Sequence, residues 1–153
     1  MPLGELAGTC IHVGGFGMSL SEELNNRGTG TLPGLIGIEI LEVDEDRLTS
    51  RLELRDELMA PNGYLHAATI VALADTSCGY GCFVNLPDGA QGFTTVELKS
   101  NFLGTKHEGA IECEARLTHD GRATQVWDAT VTDAESGKKL ALFRCTQMIL
   151  YPR

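Results

Sequence analysis

Between Glu57 and Asp88 the chain carries one formally charged side chain, Asp75. It stands in Leu73-Ala74-Asp75-Thr76, inside a stretch of apolar and small residues that runs from Ala67 to Phe83. Aspartate is a poor helix-interior residue, and a lone carboxylate in apolar surroundings is costly to bury without a partner. Desolvation would displace its pKa upward and a partner would displace it downward. Carboxylates displaced in this way are enriched where protons move or nucleophiles attack. The structural alternative is a rim aspartate satisfied by Thr76 or Ser77. His66 stands one residue before the same stretch. A helix opening at Ala67 presents backbone N–H groups that lack intrahelical acceptors and carry partial positive charge, a ready donor set for an oxyanion. The structural alternative is that His66 caps or packs against the helix start.

Geometry restricts how these groups work together. Ala67 and Asp75 are eight residues apart, about 12 Å along one helix. Two groups acting on one carbonyl carbon must each lie within about 3 Å of the reacting atoms. If both are used, they come from different copies of the chain, and the site lies between facing helices of a symmetric dimer. A nucleophilic pair of Ser77 with His66 is disfavoured, because they are eleven residues apart on the same helix and no acid is placed to orient the histidine.

The elements that must hold this helix follow from periodicity. Residues 1–18 are Gly-rich and aperiodic, and Ser19-Leu20-Ser21-Glu22 has the form of a capping box opening a short helix to about Asn26. Gly28–Gly34, with Pro33, reads as a loop. Residues 1–30 are thus an arm plus short helix, and 31–153 form one domain. Ile36, Ile38 and Ile40 alternate, Val43–Asp46 turns, and Leu48, Ser50, Leu52 and Leu54 alternate with Thr49, Arg51, Glu53 and Arg55. This is a half-buried antiparallel hairpin. Asp56–Gly63 is a loop. The Ala67–Phe83 stretch is apolar nearly all round, so a helix about 25 Å long would be wrapped on most sides. Four strand-like segments follow, about Gly92–Leu103, Ala110–Thr118, Thr124–Asp133 and Lys139–Leu150, with turns at Gly104–Gly109, Asp120-Gly121 and Ser136-Gly137. The fold class is α+β, an antiparallel sheet curled around one long helix. Tyr64, Tyr80 and Phe83 read as core packing before acyl-pocket walls.

Composition narrows the function classes. The 153 residues suit one domain, and a net charge of −9 argues against a nucleic-acid binder or a protein held to anionic lipid. Cys10, Cys78, Cys82, Cys113 and Cys145 are odd in number and scattered in apolar runs, as expected of reduced thiols in the cytoplasm. No second Cys/His pair joins Cys78 and Cys82 at metal spacing, so they read as small hydrophobes and no metal is expected. Residues 1–19 lack the basic and apolar regions of a signal peptide, and no apolar run approaches the ~20 residues of a membrane span.

Gly63-Tyr64-Leu65-His66-Ala67-Ala68 followed by Leu73-Ala74-Asp75-Thr76 resembles the G-x-x-H-G-G…A-L-A-[DE] signature of hotdog-fold acyl-CoA thioesterases. The nearest types are the PaaI-like enzymes and the Arthrobacter-type 4-hydroxybenzoyl-CoA thioesterase. Thr95–Leu103, Gly121-Arg122-Ala123-Thr124 and Gly137–Ala141 are similar to the family's later strands, and the resemblance covers about Leu32–Leu150. It implies a sheet wrapped around a helix, dimers pairing into tetramers, and hydrolysis of an acyl-CoA thioester without a cofactor, coenzyme A being part of the substrate. By position it implies that Asp75 is the nucleophile or general base, that the Ala67 N–H polarises the thioester carbonyl, and that His66 orients this corner. The implied substrate contacts are Asn62, Gly63, Ala68, Thr95, Arg122 and Thr124.

The sequence departs from the pattern in three places. The two glycines after the histidine are Ala67 and Ala68, so the backbone donor is kept while Cβ atoms narrow the approach. The family's amide six residues before the histidine is Ala60, with Asn62 the nearby amide. The F-L-R-P turn that supplies an arginine to CoA phosphate is Phe102-Leu103-Gly104-Thr105, leaving Lys106, Arg122, Lys138 and Arg153 as basic replacements. The expected substrate is a small aryl- or medium-chain acyl-CoA. The alternatives are a non-catalytic acyl-CoA-binding protein and a hotdog hydratase or dehydratase using His66 with Asp75.

Overall fold

Six strands hydrogen-bond into one antiparallel sheet, and the apolar helix lies along its inner face. The computed structural model describes residues 17–153. The arm expected over residues 1–18 lies outside them except for Gly17 and Met18, and so does Cys10. The order is α1 (Leu20–Gly28), α2 (Leu32–Ile36), β1 (Ile38–Val43), β2 (Arg47–Glu53), a 3-10 turn at Asp56–Leu58, α3 (Ala67–Val84), β3 (Gly92–Phe102), β4 (Ala110–Asp120), β5 (Thr124–Asp133) and β6 (Lys139–Leu150). The strands lie side by side as β1-β2-β4-β5-β6-β3. This is the α+β architecture expected from the sequence.

The short N-terminal helix opens as its capping box requires. Ser19 accepts from the Glu22 N–H, and the Glu22 carboxylate accepts from the Ser19 N–H. Leu24 joins the core. Two expectations need correction. Gly28–Gly34 is not wholly loop: Pro33 sits in the first turn of α2, where a missing N–H costs nothing, and Gly37 at φ +90° ends that helix. Ile36 therefore belongs to α2, and β1 begins at Ile38.

The face of α3 against the sheet carries Ile70, Leu73, Ala74, Ser77, Cys78, Gly81 and Cys82, all buried. By length and composition α3 could cross a membrane, but here it packs against all six strands. At Gly81 the sheet packs tightly on the helix: a Cβ there would lie 2.5 Å from the Trp127 ring. Trp127 is fully buried, and its indole N–H donates to Gln125 Oε1 at 3.0 Å. Ser50, read in sequence as part of an apolar face, is buried and pairs with Ser77 at 2.6 Å. The four cysteines among the described residues are free and buried.

The two edges of the sheet differ. On β1, the Asn25 side chain donates to the Ile40 carbonyl and accepts from the Ile40 N–H, which closes that edge locally. On β3, only β6 is paired, and Val96, Leu98 and Phe102 remain 43–52% exposed. The face of α3 that bears Ala68, Ala72, Asp75 and Thr76 is likewise only partly covered.

Candidate active site

The start of α3 is built by short-range contacts that leave one donor over. His66 is the N-cap, in extended conformation at φ −65° and ψ 133°, and its Nδ1 accepts from the Ala68 N–H at 2.9 Å. An accepting Nδ1 places the proton of neutral imidazole on Nε2. The carbonyl of His66 accepts from Thr69 and Ile70. Among the described residues no acceptor meets the Ala67 N–H, which points outward at the positive end of an 18-residue helix.

The loop before the helix is pinned rather than loose. Asn62 Oδ1 accepts from the Tyr64 N–H at 3.2 Å, Gly63 adopts φ +84°, and Met59 bridges Leu65. The Leu65 N–H donates to Thr105 Oγ1 at 2.9 Å, tying this loop to the turn after β3. Together they surround an open cavity of about 370 Å3 lined by Tyr64, Leu65, Ala67, Ile70, Phe102, Gly104 and Thr105. Sequence reasoning missed Phe102 and Thr105 as cavity residues. It also assigned Tyr64 to the core, whereas that ring is 58% exposed and forms a cavity wall. The signal was their position in the turn that lacks the family's arginine. Tyr80 and Phe83 do pack against the core.

Asp75 lies on the same helix but outside that cavity. It is half-buried, and Thr95 Oγ1 lies 3.2 Å from its Oδ1. Burial raises its pKa above the ordinary carboxylate value, and the Thr95 hydrogen bond opposes the rise. Thr95 reaches it beside a bulge: Thr95 pairs with Gln147 and Glu97 with Thr146, so Val96 is the extra residue. Gln147, which the sequence reading did not single out, is fully buried behind Thr95. Its signal was a polar residue in the inward register of β6, between Cys145 and Ile149.

The expected site residues therefore fall into three places. Asn62, Gly63, His66, Ala67 and Ala68 gather at the start of α3, although the Ala68 N–H is taken by His66. Asp75 and Thr95 meet at its middle. Arg122 and Thr124 stand at the β4–β5 turn, with Arg122 5.4 Å from the Tyr151 ring and Gln125 bonded to the carbonyl of Asn85 at the end of α3. One copy of the chain does not bring these three groups together. Of the basic replacements, Lys106 is engaged by Asp133 and Glu135, while Lys138 lies beside Gly104 at the cavity. Among the described residues no His, Cys, Asp and Glu cluster could hold a metal ion.

Residues 62–139 match the family described as the thioesterase superfamily. A 1,4-dihydroxy-2-naphthoyl-CoA hydrolase of Listeria monocytogenes is 34% identical over 72% of this chain and 89% of its own length. Among solved structures, a mutant of thioesterase PA1618 from Pseudomonas aeruginosa superposes with a TM-score of 0.80 at 26% identity, covering 85% of this chain and 93% of that one. Thioesterase HI1161 from Haemophilus influenzae also superposes at 0.80, with 25% identity over 88% and 92%.

Proposed function

The chain belongs to the thioesterase superfamily, and we propose that it hydrolyses the thioester of a small aryl- or medium-chain acyl-CoA at a site shared by two copies of itself. Asp75 of one copy acts on the thioester carbonyl, either by direct attack or by taking a proton from water. The Ala67 N–H of the other copy stabilises the oxyanion. The C–S bond then breaks, the thiolate of coenzyme A leaves and takes up a proton, and the acid is released. Direct attack adds one step, hydrolysis of an acyl-Asp75 anhydride by water.

The single observation that carries this reading is the separation along α3. The unsatisfied N–H and the displaced carboxylate lie about 12 Å apart on one rigid helix, too far for one carbonyl carbon. The open β3 edge, its exposed Val96, Leu98 and Phe102, and the half-covered face of α3 around Asp75 support a second copy as the completing element. Pairing of two β3 edges would bring the helices face to face. The cavity at the start of α3 offers Tyr64 and Phe102 as apolar walls, and Lys138 offers positive charge beside it. His66, whose Nδ1 is held by the Ala68 N–H, keeps only Nε2 for a ligand. That nitrogen carries the proton in the neutral ring, so it donates and does not accept, which favours an orienting role over the general base a hydratase requires.

A panel of aryl and medium-chain acyl-CoAs, read by release of free thiol, tests the reaction. Turnover on at least one ester is expected. Tight binding without thiol release would show a binding protein, and consumption of an enoyl ester with the thioester intact would show a hydratase.

A further inference from the structure

Asp75, Thr95, Gln147 and Cys145 form a chain of side chains running from the helix face into the core. Thr95 Oγ1 lies 3.2 Å from Asp75 Oδ1 and 2.9 Å from Gln147 Oε1, and Gln147 Nε2 lies 3.3 Å from Cys145 Sγ. Gln147 and Cys145 are fully buried, so water cannot substitute for the bond between them.

A hydroxyl has one hydrogen, so Thr95 cannot donate to Asp75 and Gln147 together. With Oε1 facing Thr95, the chain is complete only when Asp75 is protonated. Its carboxyl O–H then donates to Thr95, and Thr95 donates to Gln147. When Asp75 is charged, Thr95 must give its hydrogen to the carboxylate. Its oxygen then needs a donor, which the amide supplies by turning its nitrogen toward Thr95. The amide oxygen then accepts from the Cys145 thiol. The two ends of an amide have nearly the same shape, so the cavity holds either orientation.

We propose that Gln147 is a positioning residue for the reaction: through Thr95 it aims one hydrogen bond at Asp75 Oδ1 and fixes the carboxylate that attacks or takes the proton. This rests on the assignment of Asp75 above. The surroundings leave the task to this chain. Asp75 is the one charged residue of α3, whose nearby titratable group is the Cys78 thiol, itself beside Cys145. On β3, Glu97 and Lys99 are in register with Thr146 and Arg144, on the opposite face of the sheet from Gln147. On β4 the inward titratable group is the buried Cys113, and on β5 Asp128 pairs outward with Arg144.

The test uses the full chain and the acyl-CoA ester found by the thiol-release panel. Gln147→Met keeps the volume and removes the donor. The acid limb of kcat/KM is expected to move up by about half a pH unit: Gln147 bonds Thr95 in both protonation states, and what is lost is the extra strength of the bond relayed to the charged carboxylate. KM at neutral pH stays as in the unmodified protein. Thr95→Val moves the limb the same way, Thr95→Ser restores it, and Gln147→Met adds nothing in the Thr95→Val background. A structural role would lower the melting temperature and leave the limb in place. A limb that superimposes on that of the unmodified protein, or one that shifts fully in the Thr95→Val background, overturns the proposal.

A second measurement needs no variant. In the unmodified protein, the Gln147 side-chain NH2 resonances should titrate with the same midpoint as the Asp75 carboxyl carbon, and resonances that do not move overturn the proposal. Full turnover by Asp75→Asn would instead overturn the assignment of Asp75 to the chemistry, and the resonance titration still decides whether the chain exists.

Discussion

Replacing Asp75 with asparagine is expected to lower kcat by at least about 100-fold, the scale of losing a positioned base or nucleophile, while the melting temperature stays unchanged or rises. The two effects have one origin. Burial raises the carboxyl pKa, and Thr95 only partly opposes this. Between the unfolded and folded pKa values the folded state binds more protons than the unfolded one. The contribution of Asp75 to stability is therefore fully present below its unfolded pKa and is lost as the pH rises through its folded pKa. At neutral pH the charged carboxylate is a cost, which an uncharged amide of nearly the same shape removes. The same displacement sets the acid limb of kcat/KM above the ordinary carboxylate value, since activity is lost as the pH falls through the folded pKa of Asp75. Kinetics and thermal melts of the two proteins check both effects. Undiminished kcat removes Asp75 from the chemistry, and a large fall in melting temperature makes it a structural residue.

Trp127→Ala is expected to cost about 3–5 kcal/mol of folding stability, as for other large aromatic truncations in cores, and Gly81→Ala about 1–3 kcal/mol by overpacking. The indole fills the space that the missing side chain of Gly81 leaves between α3 and β5, with its ring atoms 2.5–3.0 Å from where a Cβ would stand. Removing the indole also strips Gln125 Oε1 of its donor. The pair should be non-additive, because the methyl of Gly81→Ala enters the space vacated in Trp127→Ala. Urea denaturation of the single and double variants measures this. A Trp127→Ala cost below about 1 kcal/mol would contradict close packing of helix on sheet. Trp127 is the sole tryptophan, so its fluorescence reports folding of the other variants directly.

The elements that were legible in the sequence are those whose pattern depends on burial alone. In β5 and β6 the alternation of apolar and polar residues gives the observed bounds, because one face of each strand meets α3 and the other meets solvent. Residues 67–83 were legible as a buried helix, although its half-covered face was not, since the sequence does not show where the sheet stops. Local backbone chemistry was harder to read. Leu32–Ile36 forms a turn of helix because proline there stands at a helix start, and β3 loses its alternation at the Val96 bulge. At the site, Asp75 stood out by charge and Ala67 by its place at the head of an apolar run. Gln147 did not, because its role depends on the register of β6 against β3. Arg122 and Thr124 were matched by resemblance and lie at the other end of α3, a separation that linear sequence does not encode.

The claim that one site draws on two chains is tested most directly by mixing two inactive variants. Asp75→Asn removes the carboxylate. Ala67→Pro removes the N–H at the first helical position, where proline preserves the helix and the extended conformation of His66 already suits a following proline. In a mixed dimer, one site loses both groups and the other keeps both. Equal amounts of the two, unfolded and refolded together, should recover about a quarter of the activity of the unmodified protein, because half the dimers are mixed and each has one intact site. No recovery in mixed dimers isolated by affinity tags would contradict the shared site.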